Sequence, residues 1–195
     1  MLSKEDRINT RADLKDWLSH ELKRYDGGIT SLLKITDAGI LRKHQILLRK
    51  SEYYKNSGRK ILSILYRVRL YRYQAKYSIH IPLNTCGRGL FLLHVGPRLI
   101  NGDATVGRNC SLHINTAIVS GGTREGSPHL CNNIVVGVGA VILGDVTIVD
   151  GVAIGANAVV NKSVTEENIA VAGAPAKKIS NNGRAEWNKK VKIEE

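Results

Sequence analysis

Aromatic side chains are scarce in this chain. One Phe, two Trp and seven Tyr make up 5% of its 195 residues. A sandwich or bundle core of that size usually leans on aromatics, so a fold that stacks small and branched side chains fits better. Apolar content is nonetheless ordinary at 43%, and the length suffices for one medium core. Cysteine is limited to Cys86, Cys110 and Cys131. An odd number with no CxxC pair argues against a disulfide framework and for a reducing compartment. No apolar run reaches the roughly 20 residues that span a bilayer. Residues 1–30 are charged throughout and lack an apolar h-region, so no signal peptide is expected. A GxSxG elbow is missing, which disfavours serine-hydrolase chemistry. These absences together predict a cytoplasmic protein.

Charge is present and unevenly placed. The net charge is +12, and residues 1–78 hold 18 Lys/Arg against 8 Asp/Glu. Between 42 and 76, 11 basic residues face one acid, Glu52. Such asymmetry marks either a footprint for nucleic acid or a membrane surface, or a solvated basic helix face.

Two periods divide the chain. In 11–25, RADLKDWLSHELKRY, the residues Leu14, Trp17, Leu18, Leu22 and Tyr25 recur at helical spacing. Asp26-Gly27-Gly28 supplies a stop. A second helical stretch covers about 30–54, broken by Asn56-Ser57-Gly58. The third, RKILSILYRVRLYRYQAKY, places Ile61, Leu65, Val68 and Tyr71 on one face among arginines. After Tyr77 the period becomes six. Counting from His94 gives Ile100, Val106, Leu112 and Ile118, then, past Arg124, Leu130, Val136, Ile142, Ile148, Ile154 and Val160.

A hexapeptide of this kind is a short strand plus a turn, and three close one triangular coil of a parallel β-helix. Gly, Asn or Asp fills positions where the chain turns sharply. The predicted fold class is therefore α+β: an N-terminal α-helical arm followed by a left-handed parallel β-helix, assembled as a trimer. The handedness and the trimer come from the resemblance described below. The predicted boundaries are a basic arm at 1–78, the β-helix at 79–170 with residues 121–129 extruded as a loop, and a tail at 171–195.

His94 occupies the first slot of this ladder, where an aliphatic residue is expected. At 18 residues per coil, His113 and His129 neighbour the positions above it. This spacing predicts three histidines along one edge beside a glycine-rich loop. Neutral imidazole suits general-base work on a hydroxyl. No carboxylate joins them at a metal-ligand offset, and Cys131 alone stands near, so no metal is expected.

The segment IHIPLNTCGRGLFLLHVGPRLINGDATVGRNCSLHINTAIVSGGTREGSPHL, with VAGAPAKKI after the repeats, resembles serine acetyltransferases and related capsule and exopolysaccharide O-acetyltransferases. It covers about 79–180. The resemblance implies a homotrimer, with acetyl-CoA lying between neighbouring β-helices as cosubstrate, and His94 as the base. Val138 and Ala156 match small positions flanking the pantetheine arm, and Lys177 a basic residue near the nucleotide. Gly121, Gly122 and Thr123 match the loop beside the thioester. His113 or Glu125 would assist His94, and His129 stands two residues beyond the family's second active-site histidine, which aligns with Ser127.

Two further departures accompany the match. The carboxylate that orients the family's base aligns with Ile79, and its serine-binding aspartate with Leu93. The expected reaction is therefore acetyl transfer to a sugar hydroxyl of a surface polysaccharide or its precursor, with serine O-acetylation for cysteine biosynthesis as the alternative. Pairing of trimers through the arms and peripheral contact of 59–76 with the inner face of the membrane are further expectations; nucleic-acid binding is not expected.

Overall fold

The computed structural model describes residues 2–25, 36–122 and 125–191. The Asp26-Gly27-Gly28 stop and the start of the second predicted helix lie outside them, as do Thr123 and Arg124. Helix α1 (Arg11–Leu22) begins with a capping box. Thr10 Oγ1 accepts the Asp13 amide, and the Asp13 carboxylate accepts the Thr10 amide in return. A 3₁₀ turn, Lys23–Tyr25, extends it. Helix α2 (Asp37–Asn56) starts at an N-cap, Thr36, whose hydroxyl accepts from Gly39. Helix α3 (Lys60–Tyr77) ends where Ser78 turns left-handed and strand β1 (Ile79–His80) begins.

Twelve parallel strands follow, β1 through β12 (Val159–Val160), winding round three faces. Face one stacks β1, β3 (Arg98–Ile100), β6 (Thr116–Val119), β9 (Val141–Leu143) and β12. Face two stacks β4 (Thr105–Val106), β7 (His129–Leu130) and β10 (Thr147–Ile148). Face three stacks β2 (Phe91–Leu92), β5 (Ser111–Leu112), β8 (Val135–Val136), β11 (Ala153–Ile154) and the antiparallel hairpin of β13 (Ala170–Gly173) and β14 (Ala176–Ser180). Helix α4 (Arg184–Val191) closes the described chain. The helices-then-β-helix class is the one the sixfold period predicts.

The prism interior is the aliphatic ladder. Ile100, Ile118, Ile142 and Val160 line face one; Val106, Leu130 and Ile148 line face two; Leu112, Val136 and Ile154 line face three. All are 2% exposed or less. Burying such a side chain is worth about 1.5–3 kcal/mol, so the ladder supplies much of the driving force.

The structure corrects the first slot. Leu92, not His94, pairs with Leu112 and fills the interior at 0% exposure. Cys86, six residues before Leu92, bridges to Val106 in the same way. Gly96 lies beneath Ile114, so close that a Cβ on it would meet Ile114 at 3.0 Å. His94 and Val95 are thus two extra residues bulging from the corner between faces three and one. The count in sixes from His94 reaches Ile100 only because this insertion shifts the register by two.

The arm is fastened to the first coil by buried polar contacts. Arg49 of α2 holds Glu21 of α1 at 2.7 Å and Glu52 at 2.9 Å, and donates to the Cys86 and Gly87 carbonyls. Tyr25 Oη accepts from the Leu92 amide at 2.7 Å, and Gln45 donates to the Leu90 carbonyl at 2.7 Å.

Candidate active site

The corner that carries His94 is built by local constraints. His94 adopts φ 60°, a left-handed conformation uncommon for a residue with a Cβ. Its imidazole is 70% exposed. Arg98, buried on β3, holds the bulge by its carbonyls. Its guanidinium donates to His94 O at 2.7 Å and Gly96 O at 3.1 Å, and also to the Leu93 carbonyl. Burial pushes the Arg98 guanidinium down to about 10, still well above neutrality.

The partner of His94 comes from the arm. Asp37, the first residue of α2, puts Oδ2 3.6 Å from His94 Nδ1 and accepts the Val95 amide at 3.1 Å. The first turn of a helix favours a carboxylate there. Sequence analysis missed both Asp37 and Arg98. Asp37 lies outside the repeat, where the only signal was the Thr36-Asp37 start of a helix, and Arg98, though on a rung, is not at an aliphatic position of the sixfold count.

His113 lies one rung above the Leu93 that precedes His94. Leu93 donates to the Leu112 carbonyl, and His113 to the Val136 carbonyl. Burial, first, and the nearby His94 hold the half-buried His113 below the usual imidazole range. That shift favours the neutral imidazole, a polar neighbour of His94.

His129 does not share this edge, because the bulge and the loop break the 18-residue spacing. It opens β7 on face two, where its Nδ1 shares a hydrogen bond with Thr105 Oγ1. The 121–129 loop accordingly ends at Pro128, and it leaves the corner between faces one and two. Gly121, Gly122 and an exposed Glu125 are on that loop; Thr123 lies outside the described residues. Ser120 and Ser127 hydroxyls meet at 2.8 Å across its neck. Within one chain, then, face one separates His94 and His113 from Glu125 and His129.

Above His94 the same corner forms a column. Asn157 donates to the Val138 carbonyl and Gly139 to the Ile114 carbonyl, which stacks Ile114, Val138 and Ala156. Lys177 pairs with Ala172 in the hairpin at the top. Four rungs separate His94 from that hairpin, about 19 Å at the usual strand spacing. The turns here leave no room for larger residues; a Cβ on Gly137 would meet the Ala156 nitrogen at 2.7 Å. The column thus runs from His94 at one end to Lys177 at the other. Among the described residues no His, Cys, Asp and Glu side chains group to hold a metal ion.

No protein-family model matches the chain. It is 32% identical over 139 residues to a serine acetyltransferase of Buchnera aphidicola subsp. Acyrthosiphon pisum, across 68% of this chain and 48% of that one. It is 38% identical over 114 residues to a serine acetyltransferase of Helicobacter pylori (strain J99), across 57% of this chain and 65% of that one. The chain therefore spans about half the length of the first relative and under two thirds of the second. Among solved structures, a serine acetyltransferase in complex with cysteine superposes with a TM-score of 0.65 at 22% identity, covering 87% of this chain and 71% of that one. A Brucella abortus serine acetyltransferase in complex with coenzyme A gives 0.62 at 21% identity, over 89% and 70%.

Proposed function

We propose, from its similarity to serine acetyltransferases, that the chain transfers acetyl from acetyl-CoA directly to the hydroxyl of serine. The observation that carries the reading is the His94 corner: an exposed imidazole, an adjacent carboxylate, and a small-residue column ending at Lys177. The relatives and solved neighbours named above are all serine acetyltransferases. They support serine over the expected polysaccharide sugar.

Val138 and Ala156 would flank the pantetheine arm and Lys177 would meet the nucleotide end. Bound acetyl-CoA would supply the activated thioester. With Nδ1–H directed at Asp37, His94 presents Nε2 as the basic nitrogen. That nitrogen takes the acceptor hydroxyl's proton as its oxygen attacks the acetyl carbonyl, and returns the proton to the departing thiolate. His113 lines the acceptor side as a neutral hydrogen-bonding group. Gly121 and Gly122 belong to the opposite corner of face one. Side-by-side association in a homotrimer would bring that loop, with Glu125, to the His94 corner of a neighbouring protomer. Amide N–H groups of the loop would then face the developing oxyanion.

One observation favours a second reading. Leu93, with an aliphatic side chain, stands where the resemblance places a serine-binding aspartate, which suits a neutral acceptor such as a sugar hydroxyl better than an ammonium group. Thiol release from acetyl-CoA, followed across serine and a panel of sugars, separates the two. Saturable O-acetylserine formation establishes the first; turnover with a sugar and none with serine replaces it with the second. His94→Ala abolishes turnover in either case while leaving CoA binding in place. A variant with near-normal kcat removes His94 from the mechanism.

A further inference from the structure

Helix α3 is packed with its aliphatic face outward. Its inner side is formed by Ser63, Leu70 and Gln74, which are buried, and by tyrosines; Gln74 donates to the Ile81 carbonyl at 3.0 Å and Tyr73 to the Ile40 carbonyl at 3.0 Å. Ile61, Ile64, Leu65, Val68 and Tyr71 face away from the protein, between 42% and 84% exposed. At 100° per residue these five form one stripe. Lys60 and Arg67 run along one flank of it and Arg69 and Lys76 along the other, with Arg72 inside. A groove of about 540 Å³ continues the apolar surface from Ile64, Val68 and Tyr71 to Ile81, Pro82 and Leu83 at the foot of the β-helix. Among the described residues no ion pair involves any of the six cations of residues 59–76.

We propose that this outward face of α3 docks on an anionic lipid surface. A helix with an aliphatic stripe between two cationic flanks lies in a membrane interface, its stripe among acyl chains and its cations at the headgroups. The arginine and lysine stems reach outward while Tyr71 keeps its hydroxyl wet. A second copy of the chain fits this face poorly. No Asp or Glu occurs between Glu52 and Asp103, so apposed stripes would press like charges together with no carboxylate to meet them. Nucleic acid would use the cations and leave five apolar side chains in water. No described helix is long and apolar enough to cross a membrane, so the attachment is peripheral.

Co-sedimentation of the full chain with phosphatidylcholine vesicles, with and without phosphatidylglycerol, tests this. The expected result is partitioning at least about tenfold stronger with the anionic lipid, weakening as salt rises. Ile64→Asp with Val68→Asp should abolish it, with circular dichroism and thermal midpoint unchanged because both residues are exposed. Arg67→Gln with Arg72→Gln should weaken binding at low salt. Equal partitioning to both vesicle types, or none at low salt, overturns the proposal. So does a change of oligomer mass by light scattering in the aspartate variant, which would assign the face to a second copy. Binding of a DNA duplex that ignores the aspartate substitutions, without vesicle binding, assigns it to nucleic acid instead.

Discussion

Asp37 at the start of α2 and His94 at the bulged corner of the first coil stand 3.6 Å apart, Oδ2 to Nδ1. In the proposed reaction the helical arm would supply the orienting carboxylate, where the resemblance leaves Ile79. Asp37→Asn should lower kcat while the KM for acetyl-CoA and the thermal midpoint stay near their starting values. A buried triad aspartate is worth about 10⁴ in kcat. Asp37 is more than half exposed, so a smaller loss, on the order of 10- to 100-fold, is expected. Asp37→Glu should recover part of it. Steady-state kinetics on the three proteins decide the matter; an unaffected kcat in the asparagine variant would leave His94 without its orienting partner.

Ala156 stands exposed in the column above His94, on the proposed pantetheine path. Ala156→Leu should raise the KM for acetyl-CoA about tenfold, a cost of about 1.4 kcal/mol, while kcat stays within a fewfold. Calorimetric titration with CoA checks the same change at equilibrium. Equal affinity in the variant would move the cosubstrate to another face of the prism.

Arg49 joins α1, α2 and the first coil through two carboxylates and two carbonyls. Arg49→Ala would strand Glu21 and Glu52 in the interior and should cost about 3–5 kcal/mol. Chemical denaturation measures it. Replacing all three with Met, Leu and Gln should cost less than the single change, because no uncompensated charge remains.

His44 is buried, and desolvation pushes its imidazole down to about 3. An unfolded chain protonates this histidine near 6.5. The unfolded state thus binds more protons between those values, so the contribution is complete above 6.5 and is lost as pH falls towards 3. The slope is about 1.4 kcal/mol per pH unit where the difference is full. His44→Gln should flatten the fall of the thermal midpoint across that window, relative to the parent chain. Parallel curves for the two proteins would assign the acid sensitivity to other groups.

The fold was legible because a six-residue aliphatic period leaves few alternatives to a three-sided coil. Val106, Leu112, Leu130 and Val136 all occupy the interior positions that the count assigns. The period carries no memory of insertions, however. Two extra residues at His94-Val95 and a longer loop at 120–128 preserve the sixfold count on either side while changing what stacks on what. His129 was thereby placed beside His94 and is found on another face.

The helices were legible as helices from their 3.6-residue spacing, but that spacing does not say which face is buried. The sequence placed Ile61, Leu65, Val68 and Tyr71 on one face of α3, and the structure turns that face outward. Its inner face is settled by hydrogen bonds from Gln74 and Tyr73 to backbone carbonyls on other elements.

Local chemistry alone determined the ladder of Ile, Val and Leu, the turn residues between rungs, the cap at Thr10 and the basic character of the arm. Each depends on neighbours a few residues away, and those are written directly in the chain. Tertiary structure decided the surroundings of His94: Asp37 on one side, Arg98 beneath, His113 above, and the loop held at a different corner. These contacts join segments far apart in the chain, and only the closing of coils and the docking of the arm by Arg49 bring them within bonding distance.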